Sequence, residues 1–273
     1  MKKNLILNSI TLFLTALMIV LIAFAWYVSN DTVKAEGIFG KTQDEDYTLK
    51  LQRGTYNGSS WTWTDTTSLS ISNIQPGDSF FFRIIITASR NINLNMDFSG
   101  IESDIDSSIS VSNGYITINS TKKYNVVNNK VQVTEGGSAK TLYNISGSTI
   151  SLADYKVEDT FRFYSYGVCP TSPDSIVSGT SGVTVTYNNA PLDNDVTNDN
   201  ITPSALGNVT TNYSITSSGT ETIAFAYFAL EFNDEASIVD YTYTFDDNTK
   251  TCSDSNLYQA QYLNIKRINV IES

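Results

Sequence analysis

Alternation of apolar and polar residues along this chain predicts β-strands almost throughout. In Tyr47–Leu51 and Ile92–Phe98 every second residue is apolar, so one face of each strand would be buried and the other would face water. Phe80–Ile86 is apolar on both faces, as expected for a central strand. The same reading predicts strands at Ser60–Thr64, Ser68–Ile74, Tyr115–Ile118, Lys130–Val133, Thr160–Tyr166, Val183–Tyr187, Val209–Ile215, Thr222–Phe232 and Tyr258–Ile271.

Turn sequences separate these segments. Asn113-Gly114 and Gly136-Gly137 are of the type that closes two-residue hairpins. Many short strands at this spacing predict an all-β fold, a β-sandwich of jelly-roll or Greek-key type. Helical turns are expected at Leu152–Tyr155 and Asp234–Val239.

The N-terminal segment indicates export. Lys2 and Lys3 precede an uncharged, mainly apolar stretch from Leu5 to Phe24. A signal peptide contains an apolar region of about 7–15 residues and a membrane span needs about 20, so this stretch is long enough for either. We therefore expect an N-terminal hydrophobic helix that is either a signal peptide or a transmembrane anchor.

The two alternatives differ at Ala25 and Trp26. Signal peptidase would cut after the small-x-small sequence that ends at Ala25, whereas in an uncleaved anchor Trp26 would lie in the interfacial aromatic belt. In both cases we predict a signal or anchor at 1–28, a neck at 29–37 and one β-sandwich domain at 38–273, extracellular or on the cell surface.

Composition excludes several classes of function. The chain has a net charge of −11, which disfavours contact with phosphate backbones, so no nucleic-acid partner is expected. It contains no histidine, which removes most general acid–base and zinc chemistry. Paired carboxylates for a glycosidase are not distinguishable among 28 acidic residues. We expect no enzymatic activity and no catalytic residues.

Some acidic residues are candidates for binding calcium, and the two cysteines are candidates for a disulfide bond. Asp193, Asp195 and Asp199 are closely spaced oxygen donors of the kind that calcium uses, and Asp246-Asp247-Asn248 is a second such group. Neither group has EF-hand spacing, and acidic loops of this kind are commonly solvated turns. Cys169 and Cys252 are candidates for one disulfide, which an exported protein permits.

Aromatic residues occur in same-face pairs. Trp61 and Trp63 lie two residues apart, as do Tyr164 and Tyr166. Such pairs suit a ligand platform, but they are also how sheet faces and cores are built, and the second use is favoured.

The order of motifs resembles the TasA/camelysin family of exported bacterial proteins. The apolar segment is followed by Phe24–Asp31, then by Leu69–Asp78 with its Pro-Gly-Asp turn, and then by the hydrophobic strand Phe80–Ile86. Phe225–Phe232 and Tyr262–Val270 match the family's two late strands in outline. The resemblance is best over residues 20–100 and looser over the last 50 residues.

This resemblance implies a jelly-roll subunit of a surface layer or a biofilm matrix. In TasA-like fibres an N-terminal segment of one subunit completes a sheet of the next, which is strand addition. The corresponding segment here is Trp26–Phe39; alternatively it pairs within its own domain or serves only as a membrane neck. A membrane-anchored adhesin or binding module is the other function left open. The family's older metallo-endopeptidase label has no support in a chain without histidine.

Overall fold

Every segment with the predicted alternation contains a strand in the described part of the chain. The computed structural model describes residues 37–41, 47–67, 69–105, 109–119, 122–169, 186–187, 190–191, 196, 201–217, 219 and 221–273, with the backbone alone for 37–41, 169, 186–187 and 190–191. These residues form an all-β structure with several antiparallel sheets. The predicted fold class is confirmed at that level.

Sheet A contains the first and the last described strands. Its strand order is β1-β21-β6-β17, and β4 pairs with β21 as well. The strands are β1 (Gly37–Lys41), β4 (Leu69–Ile71), β6 (Ile92–Ile105), β17 (Thr211–Ile215) and β21 (Gln261–Glu272).

Sheet B has six strands in the order β16-β13-β18-β5-β2-β3. They are β2 (Tyr47–Tyr56), β3 (Trp61–Asp65), β5 (Ser79–Ala88), β13 (Phe161–Cys169), β16 (Ser204–Ala205) and β18 (Thr222–Phe232). Strand β5 is buried on both faces, as its dense apolar sequence predicts, because residues at both odd and even positions are shielded from water.

Sheets A and B pack face to face around the larger hydrophobic core. Phe82 and Ile84 of β5 and Phe228 of β18 meet Ile265 and Val270 of β21 there, all nearly fully buried. The rings of Phe82 and Phe228 stack with centroids 5.3 Å apart. Burial of each such side chain stabilises the fold by about 1.5–3 kcal/mol, so this sandwich-like core provides the main driving force for folding.

Two further sheets enclose a second core. Sheet C comprises β7 (Ile109–Ser112), β8 (Tyr115–Ile118) and β9 (Lys122–Asn125). Sheet D has the order β12-β11-β10-β19-β20 and comprises β10 (Lys130–Glu135), β11 (Ser138–Ser146), β12 (Thr149–Leu152), β19 (Val239–Phe245) and β20 (Asn248–Asp254). A separate ribbon pairs β14 (Thr186–Tyr187) with β15 (Ala190–Pro191). All described residues belong to one structural unit, residues 34–273.

Two hairpins of sheets C and D have the turns that the sequence predicts. Asn113-Gly114 and Gly136-Gly137 each form a two-residue turn with positive φ at both positions, which is the geometry that suits a twisted hairpin. The β19–β20 turn adopts the same geometry with Asp246 and Asp247, at φ 52° and 56°. Asp tolerates this left-handed region better than most residues.

The predicted helical turn at Leu152–Tyr155 is wrong. Leu152 ends β12, and the next backbone groups bond to β11: the Asp154 N–H donates to the Thr141 carbonyl at 2.9 Å. The Asp154 carboxylate in turn accepts from the Thr141 N–H at 2.7 Å. These bonds to the neighbouring strand replace the local ones that a helix needs, and a 3₁₀ turn follows instead at Val157–Asp159.

The second helical prediction is confirmed by α1 (Asp234–Ser237). Asn233 caps this turn, because its side-chain oxygen accepts from the Ala236 N–H at 2.8 Å. The predicted N-terminal hydrophobic helix lies outside the described residues. Within the described residues, none of the helices has the length and apolar character needed to span a bilayer.

A buried amide connects the two cores. The side-chain oxygen of Gln261 accepts from the Val157 N–H at 3.0 Å, and its nitrogen donates to the carbonyls of Tyr155 and Leu257 at 3.2 and 3.1 Å. Gln261 is buried and opens β21, so these bonds fix the point at which sheet A passes into the second core.

Gln261→Ala is expected to lower the free energy of unfolding by about 2–4 kcal/mol, because three buried backbone groups lose their partners and a cavity is left. Gln132→Ala, at an exposed position of β10, serves as the control and should change it by less than about 0.5 kcal/mol. Urea unfolding measures both variants. Equal, small changes in the two would contradict the role assigned to Gln261.

Buried tyrosines predict loss of stability at high pH. Burial, with the charges of Asp159 and Glu135, raises the pKa of Tyr258 to about 12. Burial also raises the pKa of Tyr143 and Tyr213 far above its usual range. Because the unfolded phenols ionise near pH 10, the stability that these groups contribute is present below that pH and is lost as the pH rises towards the folded-state values.

Unfolding followed between about pH 8 and about pH 12 should therefore show a decline that begins near pH 10. Tyrosinate absorbance should rise together with the loss of near-ultraviolet circular dichroism. Near-ultraviolet dichroism that stays unchanged up to about pH 12 would contradict the prediction.

Candidate assembly edge

The outer edge of β21 is divided between two short strands. On its other side β21 pairs with β6 along its whole length, from Gln261 to Glu272. On the outer edge β4 pairs antiparallel with Leu263–Ile265, and β1 pairs parallel with Arg267–Ile271. We call the stretch Arg267–Ile271, with β1 upon it, the β1 edge.

The buried positions of β21 switch from odd to even residue numbers at the point where its outer partner changes from β4 to β1. Leu263 and Ile265 are buried, Lys266 and Arg267 are both exposed, and burial resumes at Ile268 and Val270. Two consecutive exposed residues shift the period-two pattern by one position. This shift keeps apolar side chains against the core along both halves of the strand.

Gly100 of β6 accommodates this irregularity. Its φ is +63°, and a Cβ built there would lie only 2.9 Å from the Cβ of Lys266. The Lys266 ammonium lies 2.5 Å from the Glu102 carboxylate, on the solvent side. Glycine is therefore required here both by the backbone conformation and by the close approach of β21.

Pairing at the β1 edge differs from pairing elsewhere in the sheets. Among the described strands, β1–β21 is the one parallel ladder, and it contains five residue pairs from Gly37↔Arg267 to Lys41↔Ile271. Parallel pairing is slightly less stable per residue than antiparallel pairing. A short parallel strand at a sheet edge is held mainly by main-chain hydrogen bonds, which another extended segment can replace.

An ion pair holds the last residues of β21. The Arg90 guanidinium meets the Glu272 carboxylate through two bonds, Nη1–Oε1 at 2.5 Å and Nη2–Oε2 at 2.8 Å. The Ser273 N–H donates to the Asn93 carbonyl at 3.0 Å. Burial, followed by the nearby Glu272 charge, raises the pKa of Tyr47. The residue that follows the β1 edge, Glu272, is therefore held in place through its carboxylate.

Several predicted site residues lie outside the described part of the chain. They are the cleavage-site pair Ala25 and Trp26 and the calcium candidates Asp193, Asp195 and Asp199. Of the predicted donor segment Trp26–Phe39, the residues Gly37–Phe39 are described and lie in β1. Their partner in the structure is β21 of the same chain, which is the alternative of pairing within the domain.

The second acidic group forms a hairpin turn. Asp246 and Asp247 are the two turn residues between β19 and β20, and the Asn248 amide donates to the Asp246 carbonyl at 2.7 Å. Within the described ranges, no group of three or more Cys, Asp or Glu side chains is arranged to hold a metal ion. The turn thus accounts for these residues without a ligand.

Cys252 lies half-buried on β20 and has no disulfide partner among the described side chains. Its sulfur lies 3.6 Å from the Lys122 ammonium, which also donates to the Tyr241 hydroxyl at 2.6 Å and lies 3.4 Å from the Asp254 carboxylate. Burial opposes ionisation of Asp254, but the Asn256 N–H and the Tyr241 hydroxyl outweigh it and lower its pKa. The Cys169 side chain is not described, so the predicted disulfide stays a prediction.

The paired aromatic residues belong to a cluster on the outer face of sheet B. The rings of Trp61 and Trp63 stack with centroids 5.3 Å apart, directly above Gly54, where a Cβ would lie 2.8 Å from Trp63. The Arg83 guanidinium lies 4.5 Å from the Trp63 ring, and Tyr164 and Tyr166 are buried in the same cluster. These contacts correspond to the favoured structural use of the pairs.

The sequence did not predict that Arg267–Ile271 is the segment of β21 that pairs with β1. Tyr258–Ile271 was readable as a strand, but its parallel partner β1 and the Arg90–Glu272 pair depend on contacts between distant parts of the chain. A switch from odd to even apolar positions around Lys266 and Arg267 was the one local signal available.

Comparison with known proteins adds no relative: no family model, curated protein or solved structure matches this chain.

Arg90→Ala is expected to lower the melting temperature, because the Glu272 carboxylate loses the two bonds from Arg90. The loss of stability should be about 0.5–1 kcal/mol for a partly exposed pair. Arg90→Lys keeps the charge but not the two-bond geometry and should recover less than half of the loss. Thermal unfolding at low and high salt measures the effect, which salt should reduce. Full recovery by lysine would show that the charge alone matters.

Proposed function

We propose that the protein is a non-enzymatic extracellular structural protein, a surface or biofilm-matrix subunit that assembles by strand addition at the β1 edge. The observation that carries the proposal is the docking of β1, as a short parallel edge strand, upon Arg267–Ile271. The TasA-like order of sequence motifs supports the same reading, with a jelly-roll arrangement of the two facing sheets. The N-terminal segment supplies export and the contact with the membrane.

The energetics of exchange favour such a mechanism. A β1 strand from a second copy would form the same ladder that β1 forms within its own chain, so exchange costs little in pairing energy. The linker between β1 and β2 spans residues 42–46. A short connection of this kind limits how far β1 moves while still tethered, and exchange would relieve that constraint.

A membrane-anchored adhesin or binding module is the second candidate. The pairing of β1 with β21 of the same chain favours it, because a domain that completes its own sheet has no vacant edge to offer. Under this alternative residues 1–28 stay in the membrane and the domain acts as a monomer.

Ile38→Pro/Phe39→Pro tests the assembly mechanism. Alternate residues of an edge strand donate to its neighbour, so proline at two consecutive positions removes at least one N–H donor whichever set points at β21. We expect fibres of the exported protein, seen by electron microscopy and sedimentation at rising concentration, to disappear in this variant.

Ile38→Ala/Phe39→Ala is the matched control. It keeps both backbone donors and removes only side-chain contacts, so fibres should persist, although weaker. A wild-type protein that stays monomeric at every concentration, with residues 1–25 retained in the membrane, would favour the anchored module and overturn the assembly proposal.

A further inference from the structure

A cavity lies where the two hydrophobic cores meet. Its volume is about 300 Å³, at the lower end of the ~300–1,000 Å³ typical of small-molecule sites. Ile74, on its wall, packs against the first core, Ala260 packs against the second, and Tyr258 packs against both. The cavity therefore belongs to the rigid junction of the fold.

The chemistry of the cavity wall is uniform. Five residues with side-chain amides line it, Asn73, Gln75, Asn119, Gln259 and Gln261, together with Tyr258. None of the described residues on the wall carries a charge at neutral pH, although the chain as a whole has a net charge of −11. A charged ligand would find no counter-ion here, so the site suits a neutral one.

Four of these amides, those of Asn73, Gln75, Asn119 and Gln259, belong to side chains that are exposed or half-buried. Their side chains make no hydrogen bond among the described residues, whereas the amides of Gln52, Asn233 and Gln261 are each bonded within the fold. Each such amide offers two donors and an accepting oxygen. Grouped around one concavity, they offer a ligand both donors and acceptors.

The backbone around the cavity is held in an uncommon conformation. Asn73, Asn119 and Ala260 all have positive φ, at 56°, 48° and 60°. Alanine has no side-chain group that favours this region, so Ala260 carries backbone strain that the surrounding packing sustains. Gln261, next in sequence, is fixed by its three buried bonds, which hold this wall in place.

We propose that this cavity binds one neutral sugar residue of a polysaccharide. Sugar hydroxyls both donate and accept, as the amides do, and the apolar C–H face of a pyranose packs on an aromatic ring such as that of Tyr258. The cavity volume of about 300 Å³ is on the scale of a single sugar ring with its substituents. This inference goes beyond assembly and holds for monomer and polymer alike.

Isothermal titration of the full chain in mild detergent tests the proposal, with three probes of equal length. Cello-oligosaccharide and chito-oligosaccharide are the neutral probes, and they distinguish a plain hexose from an N-acetylhexosamine. Oligogalacturonate is the acidic probe. Saturable binding of at least one neutral probe, with at least about tenfold weaker binding of the acidic probe, is expected.

Variants locate the binding. Asn73→Gly and Asn119→Gly remove an amide while suiting the positive φ of each position, and Gln259→Ala removes a third amide. Each should weaken binding about tenfold, as expected when hydrogen bonds to a ligand are lost. Gln132→Ala removes an amide from the larger polar groove on sheet D and should leave the affinity unchanged.

Two results would overturn the inference: no binding of either neutral probe to protein that is folded by circular dichroism, or binding that all three cavity variants retain. The titration is repeated on Ile38→Pro/Phe39→Pro, in which assembly is blocked. If that variant still binds a neutral probe, sugar binding does not depend on assembly, and the two proposals can be accepted or rejected separately.

Discussion

The hydrogen bonds of the Gln261 side chain are the interaction on which the arrangement of the structure most depends. Gln261 is only 5% exposed, and its side chain binds backbone groups of Val157, Tyr155 and Leu257. Such a group is costly to bury unless every partner is present. Because the residue also opens β21, it sets where the central strand of sheet A begins relative to the second core.

The strand that starts at Gln261 then organises both candidate sites. Its first residue, Gln261, forms part of the cavity wall with Tyr258 and Ala260. Its later residues, Arg267–Ile271, carry β1. One strand thus connects the cavity at the junction of the two cores to the β1 edge. The switch in buried positions at Lys266 keeps apolar side chains against the core in both halves of this strand.

The fold was readable from sequence where local pattern and tertiary burial agree. Strand β18 and strand β8 have the predicted bounds, since alternation or dense apolar character continues to their ends. Strands β19 and β20 were missed because their turn, Asp246-Asp247, lacks glycine. The cavity was beyond sequence reasoning, since Asn73, Asn119 and Gln259 come together only through the packing of separate sheets, and side-chain amides carry no motif.

The parallel docking of β1 has a consequence for the shape of any assembly. Donor and acceptor are different patches of the molecule. Two copies that exchange β1 reciprocally would close into a dimer, whereas copies that each donate β1 to the next make heterologous contacts that do not close. Strand addition of this second kind would build a filament with polarity. One end would expose the vacant main chain of Arg267–Ile271 and the opposite end an unpaired β1, so growth and capping at the two ends would follow different rules.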